Sequence, residues 1–273
     1  MHIAAGRCVG IDIFIIALVM GVLYWFFHRE NNRLVTSRYY ISADVQSDLS
    51  IVQLSDLHSK RFGPNNEKLM EQIKQLAPDM IVITGDMIHK WDAKAQAYVD
   101  VLAKLCTIAP VYAIPGNHES RIDEWPVLRD MLRKAGIRVV ENDVAIFSKD
   151  GQRVSILGLN EAIDPDTRPL FARLSDMGGF KLVLSHFPLR FEEYCKYEFD
   201  LQLSGHAHGG QWRLPIIGGL YSPDQGMFPH YDAGLFEEKG RKLVVSRGLG
   251  NSDFPLRLFN YPEIVFIGVT KRA

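Results

Sequence analysis

The sequence predicts an α/β fold in which buried strands alternate with amphipathic helices. Short, continuous apolar runs such as residues 80–84 have the length and composition of strands that are buried on both faces of a parallel sheet. The segment 66–76 instead places apolar residues at helical spacing, among them Leu69 and Ile73. The 273 residues suffice for one large domain, or two small ones, with a substantial core.

The composition is that of an ordinary globular protein, with 47% hydrophobic and 23% charged residues. The formal net charge of -1 gives no electrostatic basis for binding nucleic acid, so we expect no nucleic-acid partner. The three cysteines are widely spaced and form no CxxC pair, which indicates reduced thiols rather than a disulfide framework.

An apolar segment near the N-terminus, residues 9–27, predicts an uncleaved membrane anchor. Its about 19 residues, interrupted only by Asp12, approach the ~20 needed to cross a bilayer, and the aromatic residues 24–27 suit a membrane interface. A signal peptide is the alternative, although the bulky residues after the segment offer no small-residue cleavage site. More arginines follow the segment than precede it, which favours a cytoplasmic position for the large domain.

The rest of the chain divides into strands and helices that can be assigned in order. The first part contains an edge strand over 33–42, a strand over 49–54, a helix that Asn66 caps and that stops before Pro78, a strand over 80–84, a helix over about 97–105, a strand over 111–114 and a helix over about 126–135. The second part contains short strands over 139–140, 144–147 and 154–159, a helix over 168–174, strands over 181–184, 201–203, 243–246 and 264–269, and a long loop rich in Gly and Pro over 215–232.

Metal-ligand residue types recur directly after the apolar strands. They are Asp56 and His58, Asp86, Asn117 and His118, His186, and the pair His206 and His208. Binding sites in α/β sheets form outside the carboxyl ends of the strands, so five such endings predict a metal centre at one sheet edge.

The number of candidate ligands indicates how many ions the centre holds. Without His118 there are two Asp, one Asn and four His, which is too many for one tetrahedral ion and suits two ions that share a carboxylate. Mixed carboxylate and imidazole ligands fit Mn, Fe, Zn or Ni. Paired ions ~3.5–4 Å apart serve phosphoryl displacement, because they generate a hydroxide and bind both the attacking and the leaving oxygen.

The order and character of these motifs resemble those of the calcineurin-like metallophosphoesterases over roughly residues 49–270. The motifs are Asp56-x-His58, Gly85-Asp86, Gly116-Asn117-His118-Glu119, His186 and Gly205-His206-Ala207-His208. The extended motif 205–211, together with 246–250 and 261–264, is similar to the membrane-associated bacterial subgroup. Members of that subgroup are phosphodiesterases or phosphatases, some of them linked to hydrolysis of lipid A precursors.

The resemblance implies a fold and a role for each motif residue. The fold would be a β-sandwich flanked by helices, in four layers α/β/β/α, preceded by one transmembrane helix. Asp56, His58 and His208 would hold one metal ion, and Asn117, His186 and His206 would hold the other. Asp86 would bridge the two ions, and a bridging hydroxide would attack phosphorus in line. His118 would stabilise the phosphoryl oxygen or protonate the leaving group.

Several residues near the motifs have two interpretations. His89 stands where relatives often carry Asp, and it is either a loop histidine or a substrate contact. Arg247 either meets a substrate phosphate or forms a surface ion pair. Glu161 and Asp164 are expected to be solvated loop residues.

The resemblance implies a phosphodiesterase or pyrophosphatase that acts on a membrane-associated phosphorylated substrate. The alternatives are a broad phosphodiesterase of soluble nucleotides or cell-wall phosphates, and a non-catalytic scaffold, although all seven ligands and His118 are present. The apolar residues of the loop 215–232 either contact acyl chains or cover the core. We expect a single-pass protein of the bacterial inner membrane, with an anchor over 1–28, a juxtamembrane segment over 29–48 and a catalytic domain over 49–273.

Overall fold

The structure is a computed structural model that describes residues 2–88, 95–163, 166–251 and 254–272. Its α-helices are α1 His2–Asn32, α2 Glu67–Leu76, α3 Ala95–Ala103, α4 Trp125–Lys134, α5 Thr167–Ser175 and α6 Phe191–Tyr194. Its strands are β1 Val35–Ala43, β2 Leu49–Leu54, β3 Met80–Thr84, β4 Val111–Ile114, β5 Arg138–Val139, β6 Asp143–Lys149, β7 Gln152–Gly158, β8 Phe180–Leu184, β9 Leu201–Ser204, β10 Arg213–Leu214, β11 Gly218–Gly219, β12 Tyr221–Ser222, β13 Gly226–Met227, β14 Gly234–Glu238, β15 Arg241–Val245 and β16 Glu263–Lys271.

The long strands form two six-stranded sheets. Sheet I has the order β1-β16-β2-β3-β4-β5, and sheet II has the order β14-β15-β9-β8-β7-β6. Neighbours from β2 to β5 are parallel, as are those from β7 through β8 and β9 to β15. Each sheet therefore presents the carboxyl ends of several strands at one edge.

Three apolar clusters separate four layers. The first lies between helices α2–α4 and sheet I, where Val52 and Ile81 pack with Leu69 and Leu128. The second lies between the two sheets, and the third lies between sheet II and helices α5 and α6. Successive side chains of one strand pack into different clusters, because they point to opposite faces of the sheet. This arrangement confirms the predicted α/β/β/α architecture.

The predicted helices lie within a few residues of the observed ones, but the cap of α2 differs from the prediction. Asn66 occupies the position before the helix with φ of 58°, and its side chain makes no capping bond. Its Oδ1 atom accepts a hydrogen bond from the backbone N–H of Phe62 at 2.7 Å instead. The prediction that Asn66 caps α2 is wrong, because the left-handed backbone turns the side chain back toward the preceding loop.

The loop 215–232 carries more regular structure than its composition predicts. Strand β10 pairs with β11, and β12 pairs with β13, in two antiparallel ladders of two residue pairs each. The side chains of Ile216, Ile217, Met227 and Phe228 are exposed, so the interpretation that they cover the core is wrong.

The N-terminal helix α1 contains a stretch, Asp12–Asn32, that is long and apolar enough to cross a membrane. The side chains of residues 12–25 are exposed along it. After the helix the chain enters β1, which pairs in parallel with β16 along nine residues at the edge of sheet I. The helix is therefore connected directly to a strand of the main fold.

Candidate metal centre

The predicted ligand residues come together where strands of both sheets end. Sheet I supplies residues after β2, β3 and β4, and sheet II supplies residues after β8 and β9. Three groups have potential ligand atoms within 4.8 Å of one another: Asp56, His58 and His208; His58, Asp86 and His118; and Asp86, His186 and His206. All of these residues except His118 are buried. The contact between the sheets thus assembles one continuous polar cluster.

The first part of the cluster joins the ends of β2 and β9. The Nε2 atoms of His58 and His208 lie 3.2 Å apart, and His208 Nε2 lies 3.5 Å from Asp56 Oδ1. Burial, with the charge of His58, lowers the pKa of His208 well below its ordinary value, which favours the neutral imidazole that binds metals. Burial also raises the pKa of Asp56, against the opposing influence of His186.

The second part of the cluster converges on the side-chain oxygen of Asn117. This Oδ1 atom lies 3.1 Å from His186 Nε2 and 3.0 Å from His206 Nδ1. His186 Nε2 also lies 3.3 Å from Asp86 Oδ2.

Asp86 lies between the two parts. Its Oδ1 atom accepts a hydrogen bond from the backbone N–H of His118 at 2.9 Å. Its Oδ2 atom lies 3.3 Å from His186 Nε2, 3.8 Å from His58 Nε2 and 3.9 Å from His118 Nε2. Although burial raises the pKa of Asp86, His186 lowers it well below its ordinary value. The ionised carboxylate is therefore placed to contact ions on both sides.

The hydrogen bonding of His186 shows why the cluster suits cations. Its Nδ1 atom lies 2.7 Å from the carbonyl oxygen of Thr84, which can only accept, so Nδ1 donates. In the neutral ring, Nε2 then directs a lone pair at the oxygens of Asn117 and Asp86. Although burial lowers the pKa of His186, the charge of Asp86 raises it to about 10. The cluster thus requires positive charge at this position, which a proton or a metal ion supplies.

Comparison with known proteins identifies the family. A family model described as calcineurin-like phosphoesterase matches residues 49–210, more than half of the chain. The chain belongs to the calcineurin-like phosphoesterase family. It is a phosphoester hydrolase, and the clustered His and Asp groups could hold metal ions.

Relatives of this metallophosphoesterase include two proteins that are named as hydrolases. YkuE of Bacillus subtilis, an uncharacterized metallophosphoesterase, is 34% identical over 221 residues, which cover 78% of this chain and 76% of YkuE. The phosphodiesterase YaeI of Escherichia coli is 30% identical over 240 residues, or 86% and 87% of the two chains. The UDP-2,3-diacylglucosamine pyrophosphatase LpxG of Chlamydia muridarum is 26% identical over an alignment of 335 residues that covers 97% of each chain.

The predicted ligand residues of the metallophosphoesterase occupy unusual backbone conformations. Five of them have positive φ without being glycine: Asp56 at 50°, His58 at 44°, Asp86 at 53°, His206 at 65° and His208 at 48°. Such conformations cost about 1–3 kcal/mol each and persist where the surroundings determine them. The strand ends therefore turn sharply, which aims several short side chains at one point.

Two glycines permit the close approach of these turns. A Cβ atom at Gly116 would lie 2.1 Å from Asp86 Oδ1. A Cβ atom at Gly205 would lie 1.9 Å from Ser55 Oγ and 2.4 Å from Asp56 Oδ2. Any larger residue at these positions would displace the carboxylates of the cluster.

Glu119 holds the loops after β3 and β4 together, a role that its place in the motif did not reveal. Its Oε2 atom accepts from the backbone N–H groups of Asp86 at 2.9 Å and Gly116 at 2.8 Å. Its Oε1 atom accepts from those of Met87 at 2.6 Å and Ile88 at 3.1 Å. Burial, together with the charge of Asp86, raises the pKa of Glu119 to about 7.

Glu161 is buried, and the prediction that it is a solvated loop residue is wrong. Its Oε1 atom accepts hydrogen bonds from the hydroxyls of Ser185 at 2.7 Å and Tyr194 at 2.8 Å. Its Oε2 atom accepts from the backbone N–H of Phe187 at 3.3 Å. Glu161 therefore fixes the residues on either side of His186, and no local sequence pattern signals this long-range contact. Asp164 lies outside the described residues.

The two predicted substrate contacts remain predictions. Arg247 donates from Nε and Nη2 to Glu263 Oε1 at 3.1 and 2.9 Å, so the structure places it in an ion pair with a buried carboxylate. His89 lies outside the described residues.

Arg257 is a buried cation that no sequence motif indicates. Its guanidinium donates to the carbonyl oxygens of Gly250, Asn260 and Arg247. Burial lowers the pKa of Arg257 to about 10, against the opposing charge of Asp56. It ties the segment 247–250, which packs on Asp56, to residue 260.

Proposed function

We propose that this metallophosphoesterase is a dinuclear metal-dependent phosphodiesterase or pyrophosphatase that acts on a membrane-associated phosphorylated substrate. One observation carries the proposal: two groups of buried ligand atoms flank the single carboxylate of Asp86. A shared carboxylate between two ligand groups is the arrangement that paired ions need for phosphoryl displacement.

The proposed ligand assignment follows the two parts of the cluster. Asp56, His58 and His208 would hold one ion, and Asn117, His186 and His206 would hold the other. Asp86 would contact both, because its Oδ2 atom lies within 4 Å of an imidazole nitrogen from each part. Imidazole and carboxylate ligands suit Mn, Fe, Zn or Ni. When bound, such a pair supplies a hydroxide nucleophile at phosphorus and stabilises both oxygens in line with it.

His118 is the proposed catalytic side chain. It is the one member of the three ligand groups that is not buried, so its ring is accessible from the substrate side. The backbone bond to Asp86 Oδ1 and the edge-on contact with the His58 ring, at 4.7 Å between centroids, fix its orientation. A proton on Nε2 would neutralise the leaving oxygen or stabilise a phosphoryl oxygen.

The membrane association of the substrate is supported by two facts. Helix α1 contains one candidate membrane span, and the relative LpxG is named for hydrolysis of a diacylated nucleotide sugar. We propose that residues 1–28 anchor the protein in a bacterial inner membrane through the segment 9–27. Residues 29–48 would connect this anchor to a catalytic domain over 49–273 on the cytoplasmic side.

The decisive experiment uses the full chain in detergent micelles, stripped of metal and then supplied with Mn²⁺. Hydrolysis of bis-p-nitrophenyl phosphate is compared with that of p-nitrophenyl phosphate, before and after addition of a chelator. We expect diester cleavage that the chelator abolishes and that renewed Mn²⁺ restores.

The Asp86→Asn variant serves as the control for the metal centre and is expected to be inactive toward both esters. Cleavage of the monoester alone would contradict the proposed diester preference. Wild-type turnover that the chelator leaves unchanged would contradict metal dependence altogether.

A further inference from the structure

An exposed apolar surface projects from the loop beside the metal centre. It consists of the side chains of Ile216, Ile217, Tyr221, Met227, Phe228 and Phe254, and we call it the apolar loop surface. Ile216 is fully exposed, and the other five side chains are between 48% and 62% exposed. Soluble monomers rarely expose so many neighbouring large apolar groups unless the surface meets a partner or a membrane.

The backbone beneath this surface is hydrogen-bonded. Tyr221 pairs with Met227 across the ladder of β12 and β13, and the N–H of Phe228 donates to the carbonyl of Leu220 at 2.9 Å. The rings of Phe254 and Trp212 lie 5.2 Å apart, which joins the two loops. The apolar side chains therefore point outward from a supported scaffold.

The apolar loop surface continues to the end of helix α1. The N–H of Arg213, next to Trp212, donates to the carbonyl of Leu258 at 2.9 Å. The ring of the adjacent Phe259, which is half exposed, lies 6.0 Å from the ring of Phe26 in α1. Because aromatic residues 24–27 end the apolar segment of the helix, the proposed anchoring would place Phe259 at the depth of the membrane interface.

Hydrogen bonds also attach the end of α1 to the catalytic fold. The Asn31 side-chain oxygen accepts from the backbone N–H of Arg257 at 3.1 Å, and the Asn31 carbonyl accepts from the ammonium of Lys60. These bonds set the height of the loops relative to the helix. The guanidinium groups of Arg29 and Arg33 lie over the rings of Trp25 and Tyr261, which places positive charge at the level of lipid headgroups.

The same loop reaches the metal centre. Asp224, between β12 and β13, places its Oδ2 atom 3.0 Å from His206 Nε2. The other ring nitrogen of His206 faces Asn117 in the metal cluster. Asp224 therefore connects the loop that carries the apolar loop surface to His206, a proposed metal ligand.

We propose that the apolar loop surface inserts into the interfacial layer of the bilayer that α1 spans. This inference rests on the proposed membrane anchoring and extends it, because the catalytic fold itself would lie on the lipid. A headgroup phosphate held at that surface would reach the metal centre while its acyl chains stay in the bilayer. Burial of the apolar side chains, at about 25 cal/mol per Å² removed from water, would stabilise this orientation.

The test places a fluorescent label at single cysteines in the full chain, reconstituted into nanodiscs of phosphatidylcholine and phosphatidylglycerol. Met227→Cys reports the apolar loop surface, and Val127→Cys on α4 is its control, since both side chains are 62% exposed. Ile216→Cys is a second reporter, at a side chain that is fully exposed and so tolerant of replacement. The signal of the labelled parent chain, with its three cysteines, is subtracted.

We expect lipids that carry a doxyl quencher near the headgroup to remove most of the fluorescence at positions 216 and 227 and little at 127. Aqueous iodide should quench in the opposite order. Absence of quenching by the lipids at positions 216 and 227 would overturn the proposal. Iodide access would then be equal at all three positions if the surface is free, and lower at 216 and 227 if it meets a protein partner. Hydrolysis of bis-p-nitrophenyl phosphate by the same samples separates this failure from failure of the proposed function.

Discussion

Replacement of Glu119 by glutamine tests whether one buried carboxylate organises the metal centre. The carboxylate accepts four backbone N–H groups on the loops after β3 and β4. In Glu119→Gln one oxygen becomes an NH₂ group, so two of these donors lose their acceptor whichever way the amide turns. Each buried donor left unpaired costs about 1–3 kcal/mol, which gives about 2–6 kcal/mol for the pair.

Two quantities are measured on the full chain: the Tm of thermal unfolding and the metal content. The measurements are made at about pH 8.5, because the Glu119 carboxylate, with its pKa of about 7, is then ionised in the wild type. One kcal/mol shifts the Tm by ~2–4 °C for a domain of this size, so we expect a fall of at least about 4 °C. Metal content should fall as well, because either the N–H groups of Asp86 and Gly116 or those of Met87 and Ile88 lose their acceptor, and both pairs position the loop that carries Asp86. Glu141→Gln is the matched control, since Glu141 accepts from the Arg129 and Asn160 side chains instead. A Glu119→Gln protein with the Tm and metal content of the wild type would refute the reasoning.

Three further substitutions probe the metal centre, at Asp86 and His118, and the Asp79 carboxylate outside it. Asp86→Asn should abolish hydrolysis and lower metal content measured by emission spectroscopy, because the proposed bridge loses its charge; normal turnover would contradict the assignment. His118→Ala should lose activity and keep its metal, whereas loss of the metal would show a structural role. Burial raises the pKa of Asp79, but hydrogen bonds from Lys149 and Ser50 lower it further, so the pKa lies below its ordinary value. The ionised carboxylate therefore stabilises the folded protein above about pH 4, and this stabilisation is lost as the pH falls. Asp79→Asn should lower Tm at neutral pH and flatten that acid dependence; an unchanged acid profile would count against it.

The clustering of the predicted ligand residues could be foreseen from the sequence because their signal is local. Each follows an apolar strand directly, and parallel neighbours deliver their carboxyl ends to one edge. The four-layer architecture came from the family resemblance. The residues that support the ligands could not be predicted in the same way. Glu161 lies 24 positions before Ser185, which it binds, and no local pattern links them. Among the described residues the Arg257 guanidinium donates to backbone carbonyl oxygens, so no acidic partner marks it in the sequence.

The apolar loop surface shows a different limit. Composition identified the loop 215–232 as apolar, but apolar residues can cover a core or face outward, and only the tertiary structure distinguishes these cases. In the structure two short ladders pair the backbone of this loop, and the side chains of Ile216 and Met227 are exposed.

The supporting residues explain how mutually repelling ligands are held together. The buried carboxylates of Asp56 and Asp86 each lie within 4.8 Å of two imidazole nitrogens, and five of the predicted ligand residues adopt costly positive φ values. Hydrogen bonds from three other residues hold each part in place. Glu119 binds the loops of Asp86 and Asn117, and Glu161 binds the segment around His186. Arg257 binds the segment that packs against Asp56. Because Glu119, Glu161 and Arg257 belong to none of the three ligand groups, they organise the site without supplying its ligand atoms. The free energy of ion binding is then available to offset repulsion among the ligands rather than to order the loops.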